Sequence, residues 1–334
     1  MAGCAPLPRA TNHGRGIHRG PPGDDHGRGA MKLCQFYLPG KGKRVGVLVG
    51  EAVLDVTAPR AGVGSVIELI AAAGTAARLE SRVRTLARTA RTRVPWASLD
   101  RAPSVRHPHL LAPLDPPEIW GAGITYRRSR EYYEAHTGEG GRTKGIYDFV
   151  YESERPELFF KATAARMAGP HAPIHVRADS TLTAVEPELA LVIGRRGAIV
   201  GYTIGNDLSA WDIERANPLF LPQSKMYDGC FACGPVLVTA AEVGDPHALE
   251  LSCAIQRNGR TIYTGRVNTK EMRRQCPDLV AWLVRSNTCP PGTVLSTGTG
   301  ILVPDEHALA DGDVVEITLE RVGTLRNPVR RLTA

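Results

Sequence analysis

Apolar and polar residues alternate along much of the chain with the two-residue period of β-strands. Short alternating runs cover residues 31–58, and two longer runs, "LSCAIQRNGRTIYTG" and "DGDVVEITLERVG", lie near the carboxyl end. In the first of these, the pair Asn258 and Gly259 is a strong signal for a type I′ hairpin turn. The pattern therefore predicts a protein built mainly from sheet.

Helical periodicity is clear in two segments. "SVIELIAAAGTAARLESRVRTLA" predicts one continuous helix with Ser65 as its N-cap and Glu68 at capping-box spacing. "KEMRRQCPDLVAWLVRSN" predicts another, which Pro277 interrupts in its early part. Parallel βαβ repeats and glycine-rich nucleotide-binding loops are absent from the sequence. The predicted fold class is α+β, with a mostly antiparallel sheet that is rolled or sandwiched and few helices.

The chain is predicted to have three parts. Residues 1–30 are rich in glycine, proline, histidine and arginine and are expected to be a disordered tail or an artefact of an upstream start, so the folded protein is expected to begin at Met31. Residues 31–114 predict a small N-terminal α+β domain. The segment "DPPEIW" is expected to link it to a larger second domain, residues 115–334.

Composition and charge narrow the classes of function. The 334 residues include no apolar run of about 18 residues, so no membrane partner is expected. The formal net charge is +7, but the basic residues are scattered, so no nucleic-acid partner is expected either. Seven irregularly spaced cysteines do not predict a secreted disulfide framework, and we expect a cytoplasmic protein. Cys230 and Cys233 form a C-x-x-C without companion ligands, so neither a zinc nor a redox role is expected.

A pair of glutamates opens the apolar stretch "VEPELALVIG". In an extended chain Glu186 and Glu188 lie on one face, about 7 Å apart, and repel unless a proton or a cation lies between them. The next predicted strand follows a turn at Gly197 and ends in Asp207. Three carboxylates favour a hard cation, Mg²⁺ with Mn²⁺ or Ca²⁺ as alternatives. Hydrated surface charge is the other interpretation of an isolated E-x-E.

Four segments resemble, in this order, the fumarylacetoacetate hydrolase family: "EPELALVIG", "GYTIGNDLSAWDIE", "QSKMYDGCFACGPV" and "STGTG". The resemblance covers roughly residues 119–329 and implies a metal-dependent catalytic β-roll domain. It implies that Lys225 lies beside the metal and that Thr299 contacts the substrate. The metal ligands implied by the family's motif are Glu186, Glu188 and Asp207.

The chain departs from the family's pattern at the histidine that hydrolases and decarboxylases carry after an Asn-Tyr pair. The corresponding segment is "GAGITYRRSREYYEAH", where Thr125 replaces the asparagine and Ser129 stands at the histidine position. His136 lies seven residues further on and is expected at the surface of a helix. Trp211 replaces the arginine of the family's "SARD". Activation of water by a histidine is therefore in doubt.

Other segments, "RPELFFKAT" above all, resemble the 2-keto-3-deoxy-pentonate dehydratases of this family. That branch implies a hydro-lyase that converts a small-molecule 2-keto acid, 2-dehydro-3-deoxy-pentonate, to 2,5-dioxopentanoate through a metal-stabilised enolate. Glu157 is predicted to transfer protons at C3 and C4, and Lys225 to stabilise the enolate or share the proton transfer. The segment "HTGEGGRTKGIYD" is predicted to be a lid. Substrate binding is predicted for Arg127, Arg128, Ser129, Lys161 and Thr299.

Two other functions stay open at this stage. An acylpyruvate-type hydrolase would share the metal and the enolate, but it needs an activated water, and the missing histidine argues against it. A catalytically silent member would bind a 2-keto acid or a partner, and the retained carboxylates with Glu157 and Lys225 argue against that. The assembly is expected to be a homodimer or a homotetramer.

Overall fold

The computed structural model describes residues 31–136 and 145–333. The predicted tail, residues 1–30, and most of the predicted lid, residues 137–144, lie outside the described residues. Within the described residues no helix is long and apolar enough to cross a membrane.

The described residues form nineteen strands and nine α-helices, numbered here in chain order. The strands are β1 (Lys32–Leu38), β2 (Gly42–Val49), β3 (Ala52–Asp55), β4 (Thr92–Pro95), β5 (His109–Leu111), β6 (Ile119–Gly123), β7 (Glu157–Ala162), β8 (Met167–Ala168), β9 (Ile174–Val176), β10 (Thr183–Ala184), β11 (Pro187–Ile193), β12 (Ile199–Asp207), β13 (Ser209–Ala210), β14 (Phe231–Thr239), β15 (Glu250–Arg257), β16 (Arg260–Asn268), β17 (Thr293–Ser296), β18 (Val314–Leu319) and β19 (Gly323–Arg331). The helices are α1 (Val66–Ala73), α2 (Ala76–Thr89), α3 (Trp96–Leu99), α4 (Arg127–His136), α5 (Ile146–Glu152), α6 (Trp211–Ala216), α7 (Leu221–Lys225), α8 (Ala240–Val243) and α9 (Cys276–Leu283).

Most strands belong to one twelve-stranded sheet. Its order is β4-β3-β2-β1-β14-β12-β11-β17-β6-β7, with β5 added to β1 and β8 added to β14. A second sheet has the order β16-β15-β18-β19-β9, and β10 pairs with β13. Neighbouring strands are antiparallel except in the pairs β14–β8, β17–β6 and β19–β9. The predicted α+β class with a mostly antiparallel sheet is confirmed.

The large sheet crosses the boundary predicted at residue 114. β1 pairs antiparallel with β14, with Lys32 opposite Val238 and Leu33 opposite Leu237. Most of the buried apolar residues form one cluster that extends from Met31 to Val329, and a smaller second cluster lies around Trp211. The two predicted domains therefore share a sheet and a core, and the division between them stays a prediction.

The hairpin prediction is confirmed, whereas the prediction of one long helix is wrong. Asn258 and Gly259, between β15 and β16, both have a positive φ, 52° and 73°. The expected helix is two helices, because Gly74 turns the chain with a φ of 72° and Thr75 then caps α2. The hydroxyl of Ser65 does cap α1, accepting from a backbone N–H three residues on.

The second helix also differs from its prediction. Pro277 lies in the first turn of α9 rather than interrupting a longer helix. A proline there costs no hydrogen bond, because the first N–H groups of a helix have no partner within it. The residues before α9 form only one 3₁₀ turn, Thr269–Glu271.

Candidate active site

Two paired strands bring three carboxylates together. β11 and β12 are antiparallel, with Glu188 opposite Gly205, and the Asp207 amide donates to the Glu186 carbonyl at 3.0 Å. Carboxylate oxygens of Glu186, Glu188 and Asp207 all lie within 4.8 Å of one another, and all three residues are buried. Among residues 31–136 and 145–333 this is the only such group of possible metal ligands. The hairpin thus places the three predicted ligands close enough to share one cation.

The charges around this acidic triad are not balanced by the protein. Lys225 Nζ lies 2.9 Å from Glu186 and 3.3 Å from Asp207. Within the described chain Glu188 forms no ion pair, and it accepts the Gly298 N–H at 2.8 Å. Burial raises the pKa of Glu188 well above its usual range, and the neighbouring carboxylates Asp207 and Glu186 raise it further. Oxygen donors alone with surplus negative charge fit a hard divalent cation.

Lys161 contacts Asp207 of the triad on the side away from the cavity. Its ammonium lies 2.6 Å from Asp207 Oδ1 and donates to the carbonyls of Leu208, at 2.7 Å, and Lys225. The side chain is fully buried and is not among the residues that line the cavity. Removing one partner of such a buried pair typically costs about 3–5 kcal/mol. The structure therefore places Lys161 against Asp207 and outside the lining of the cavity, and its contact with a substrate stays a prediction.

Glu186 also accepts hydrogen bonds from two aromatic side chains for which the sequence predicted no such role. Tyr133 Oη and Trp211 Nε1 each donate to Glu186 Oε1 at 2.8 Å. The two rings pack edge to face with centroids 5.7 Å apart. Burial and Glu186 raise the pKa of Tyr133 well above its usual range, so it stays a phenol donor. Trp211 therefore fixes a carboxylate of the acidic triad at the position where the family's motif has arginine.

Lys225 projects from the end of α7 into the same cluster. Burial by itself lowers the pKa of this ammonium, but Asp207, Glu186 and Glu214 outweigh that effect and raise it well above its ordinary value. Nζ also donates to Ser209 Oγ at 2.6 Å. Lys225 is thus a fixed cation, which suits stabilisation of a developing anion better than removal of a proton.

A cavity of about 360 Å³, its open mouth included, lies against the triad. Glu157, the first residue of β7, faces this cavity, and burial raises its pKa while Lys225 opposes the rise. A Cβ on Gly123 would lie 2.0 Å from the Glu157 carboxylate, so the glycine gives that side chain its room. The polar side chains that line the cavity are Ser129, Tyr133, Glu157, Glu186, Asp207, Glu214, Lys225 and Thr299.

Helix α4 and the "STGTG" turn form one wall. Ser129 faces inward and its hydroxyl donates to the Thr299 carbonyl. Gly298 has a φ of 91°, and a Cβ there would lie 2.2 Å from Thr125 Oγ1, which explains the glycine in the motif. Side chains three and four residues apart share a helix face, so Ser129 and Tyr133 point inward together.

Arg127, Arg128 and His136 of α4 lie away from the cavity. Arg127 and Arg128 are exposed, and Arg128 pairs with Glu271 at 3.3 Å. Neither arginine lines the cavity, because the inward face of α4 carries residues 129 and 133, and their contact with a substrate stays a prediction. His136 is exposed, as expected, and its ring bonds the Tyr132 carbonyl.

The C-x-x-C cysteines lie inside the large sheet. Cys230 and Cys233 are fully buried free thiols on or beside β14. Burial raises the pKa of Cys233 to about 12. The absence of a zinc or redox role remains a prediction for both.

A cavity beside three clustered carboxylates, with one lysine and two further carboxyl groups in its wall, is typical of a metal-dependent enzyme. The model of the fumarylacetoacetate hydrolase C-terminal domain matches residues 119–330, and the chain belongs to this family. It is 45% identical to 2-dehydro-3-deoxy-D-arabinonate dehydratase of Saccharolobus solfataricus over 240 residues, 72% of this chain and 80% of that protein.

Two further comparisons agree. A probable 2-keto-3-deoxyxylonate dehydratase of Haloferax volcanii is 47% identical over 221 residues, 66% of this chain and 75% of that protein. A solved structure of 2-keto-3-deoxy-D-arabinonate dehydratase complexed with magnesium and 2,5-dioxopentanoate superposes with a TM-score of 0.77 and 36% identity, covering 91% of this chain and all of that one. The predicted family and branch are thereby confirmed.

Proposed function

We propose that this protein is a Mg²⁺-dependent hydro-lyase that converts a 2-keto-3-deoxy-pentonate to 2,5-dioxopentanoate. The observation that carries the proposal is the composition of the cavity wall. Carboxyl groups and a lysine face the acidic triad, while Ser129 stands where the family's hydrolases have a histidine. None of the residues that line this cavity in the described chain is a histidine. Proton transfer to and from carbon therefore fits the site better than activation of water.

The metal site is assigned to Glu186, Glu188 and Asp207. Lys161 holds Asp207 in place, and Lys225, Tyr133 and Trp211 fix Glu186. When bound, Mg²⁺ supplies a Lewis acid that polarises the keto group of the substrate. Ser129 and Thr299 are assigned to substrate contact, since both line the cavity next to the triad.

The reaction begins with removal of a proton from C3. Glu157 is assigned as the base, because its carboxylate faces the cavity and its raised pKa brings it closer to the pH at which a base both accepts and returns a proton. Lys225 holds the negative charge of the enolate. Loss of the C4 hydroxyl from this enolate then gives an α,β-unsaturated 2-keto acid, which tautomerises to the aldehyde product.

A panel of 2-keto-3-deoxy pentonates and hexonates, each with Mg²⁺, tests the function with an aldehyde trap as the readout. We expect semialdehyde from at least one pentonate and no cleavage of acetopyruvate. Rapid cleavage of acetopyruvate without semialdehyde would assign the protein to the hydrolase branch. Failure to turn over any 2-keto acid would leave the catalytically silent alternative.

The proposal also covers the cellular location, the oligomeric state and the domain division of the enzyme. Six cysteines in the described residues are free thiols, and this supports a reducing cytoplasmic location. We also propose a homodimer or homotetramer, which light scattering on the eluting protein measures directly. The division into residues 31–114 and 115–334 belongs to this proposal, and limited proteolysis near Asp115 tests it.

A further inference from the structure

Glu214 is a second carboxyl group in the cavity for which the predicted chemistry has no role. It lies on α6 and is 7% exposed. Its side chain lines the main cavity together with Glu157, and the same two residues line a smaller cavity that Tyr147 and Leu221 also bound. α6 and β7 therefore direct two carboxyl groups toward one space.

The surroundings of Glu214 favour a neutral acid. Its carboxyl accepts one long hydrogen bond, from Ser224 Oγ at 3.4 Å, and no ion pair of the described residues includes it. A buried carboxylate with so few donors is costly, so the protonated form is stabilised. Burial raises the pKa of Glu214 to about 7, Lys225 opposes the rise, and Glu186, Glu157 and Asp207 add to it.

We propose that Glu214 is the catalytic acid that protonates the departing C4 hydroxyl group, while Glu157 acts only at C3; this inference rests on the proposed dehydration. Glu157 is the more exposed of the two carboxyls and so ionises more readily, which makes it the base. Glu157 takes the C3 proton and the C–H electron pair forms the enolate. The enolate pair then forms the C3–C4 double bond, the C4–O bond breaks, and the hydroxyl leaves as water with the Glu214 proton.

The same two groups can complete the reaction without an external acid. After elimination Glu157 is protonated and Glu214 is a carboxylate. Glu214 removes a proton from C5 and Glu157 returns its proton to C3, which gives an enol between C4 and C5. Glu214, which now carries the C5 proton, gives that proton to C4 and takes up the proton of the enol hydroxyl, and this yields the aldehyde. Both residues end in their starting states, and the overall change is loss of one water.

The two proton transfers can be measured separately in D₂O with Mg²⁺ present. 2-Oxopentanoate has no C4 hydroxyl, so it reports only exchange at C3, by loss of the C3 signal in ¹H NMR. A 2-keto-3-deoxy-pentonate reports elimination, by formation of 2,5-dioxopentanoate. For Glu214→Gln we expect exchange within about three-fold of the unmodified enzyme and elimination slower by about 10²–10⁴, the usual effect of one acid–base group. For Glu157→Gln we expect both exchange and elimination to fall by about 10²–10⁴.

Controls make each outcome decisive. Glu131→Gln makes the same isosteric change at an exposed residue of α4 and should leave both rates unchanged. If Glu214→Gln does not fold, Glu214→Asp keeps the acid but shortens its reach, and elimination should again fall more than exchange. Elimination within three-fold of normal in a folded variant, or equal loss of exchange and elimination, would overturn the role of Glu214. Failure of the unmodified enzyme to eliminate water would instead reject the proposed function, and this inference with it.

Discussion

Two groups of carboxyls meet at the cavity, the acidic triad and the pair Glu157 and Glu214, and they differ in the number of hydrogen-bond donors around them. Glu186 accepts from Tyr133, Trp211 and Lys225, and Asp207 lies against both Lys161 and Lys225. Across the cavity, Glu214 accepts only the long hydrogen bond from Ser224, and no hydrogen bond to the Glu157 carboxylate is found in the described part of the chain. The first group is surrounded by donors, whereas the second faces open space.

The difference in donors decides what each group can do. Hydrogen bonds and cations stabilise the charged form of a carboxyl, whereas burial without them stabilises the neutral form. The triad is therefore suited to hold a cation, and Glu157 and Glu214, whose pKa values burial raises, are suited to exchange protons. Glu188 belongs to the triad but has a raised pKa, because burial and the two neighbouring carboxylates leave it dependent on the cation.

The largest effect is expected from breaking the triad. Glu186→Gln removes one charge and one of the oxygens proposed to bind the metal, while the amide can still accept from Tyr133 and Trp211. We expect turnover below detection and no Mg²⁺ binding by calorimetry, with the fold retained. The rise in melting temperature that Mg²⁺ gives the unmodified protein should disappear as well. Normal Mg²⁺ affinity in this variant would show that the triad is not the metal site.

A substitution at Glu157, in the second group, should lower the rate without lowering Mg²⁺ affinity. Glu157→Gln removes the base and leaves the triad with all its donors, so kcat should fall by about 10²–10⁴. Mg²⁺ affinity and KM should change no more than a few-fold, which locates the loss in the chemical step. In D₂O the unmodified enzyme should also place solvent deuterium at C3 and C4 of the product. A matching loss of Mg²⁺ affinity in Glu157→Gln would remove the distinction between the two groups.

The sequence predicted one of these groups better than the other. The spacing of Glu186 and Glu188 and the turn at Gly197 are local features, and they are sufficient to place three carboxylates on paired strands. Glu214 and Tyr133 lie on short helices whose inward faces are set by packing against the sheet, which a single sequence does not reveal. The spacing of Ser129 and Tyr133 on one helix face was a usable signal.

In the fold, too, local features were predicted from the sequence, whereas features set by packing in space were not. Hairpin chemistry at Asn258 and Gly259 is local, and its prediction is confirmed. Whether Gly74 continues a helix or breaks it depends on a cap and on neighbours in space, and there the prediction failed. The strand position of Lys161 likewise left open which way its ammonium points, and the structure places that ammonium against Asp207.

A smaller effect should come from loosening the triad without removing a ligand. Tyr133→Phe deletes one donor to Glu186 and keeps the ring that stacks on Tyr147. Partners that orient metal ligands are typically worth about 10–100-fold in affinity, and we expect that loss for Mg²⁺. Tyr132→Phe is the matched control, because the neighbouring hydroxyl donates to Asp305 at 2.9 Å instead. Equal Mg²⁺ affinity in the two variants would show that Tyr133 does not position Glu186.

The smallest effect concerns the protons that the second group carries. Glu214 must be protonated to act, and its pKa is raised to about 7, so kcat should fall up to tenfold per pH unit as the pH rises above about 7. Glu157 must be ionised, and its raised pKa places the fall in kcat on the acid side at a higher pH than an ordinary glutamate would give.

Glu214→Gln should lose the alkaline limb of the profile and keep the acid limb, whereas C3 exchange of 2-oxopentanoate in the unmodified enzyme should show only the acid limb. The charged groups that face Glu214 and set its pKa are Lys225 from α7, Glu186 beside β11, Glu157 from β7 and Asp207 from β12. A kcat that stays constant from pH 6 to pH 9, a range that spans about two units above the expected transition, would mean that Glu214 holds no proton that the reaction uses, and the contrast between the two groups would then rest on Glu157 alone.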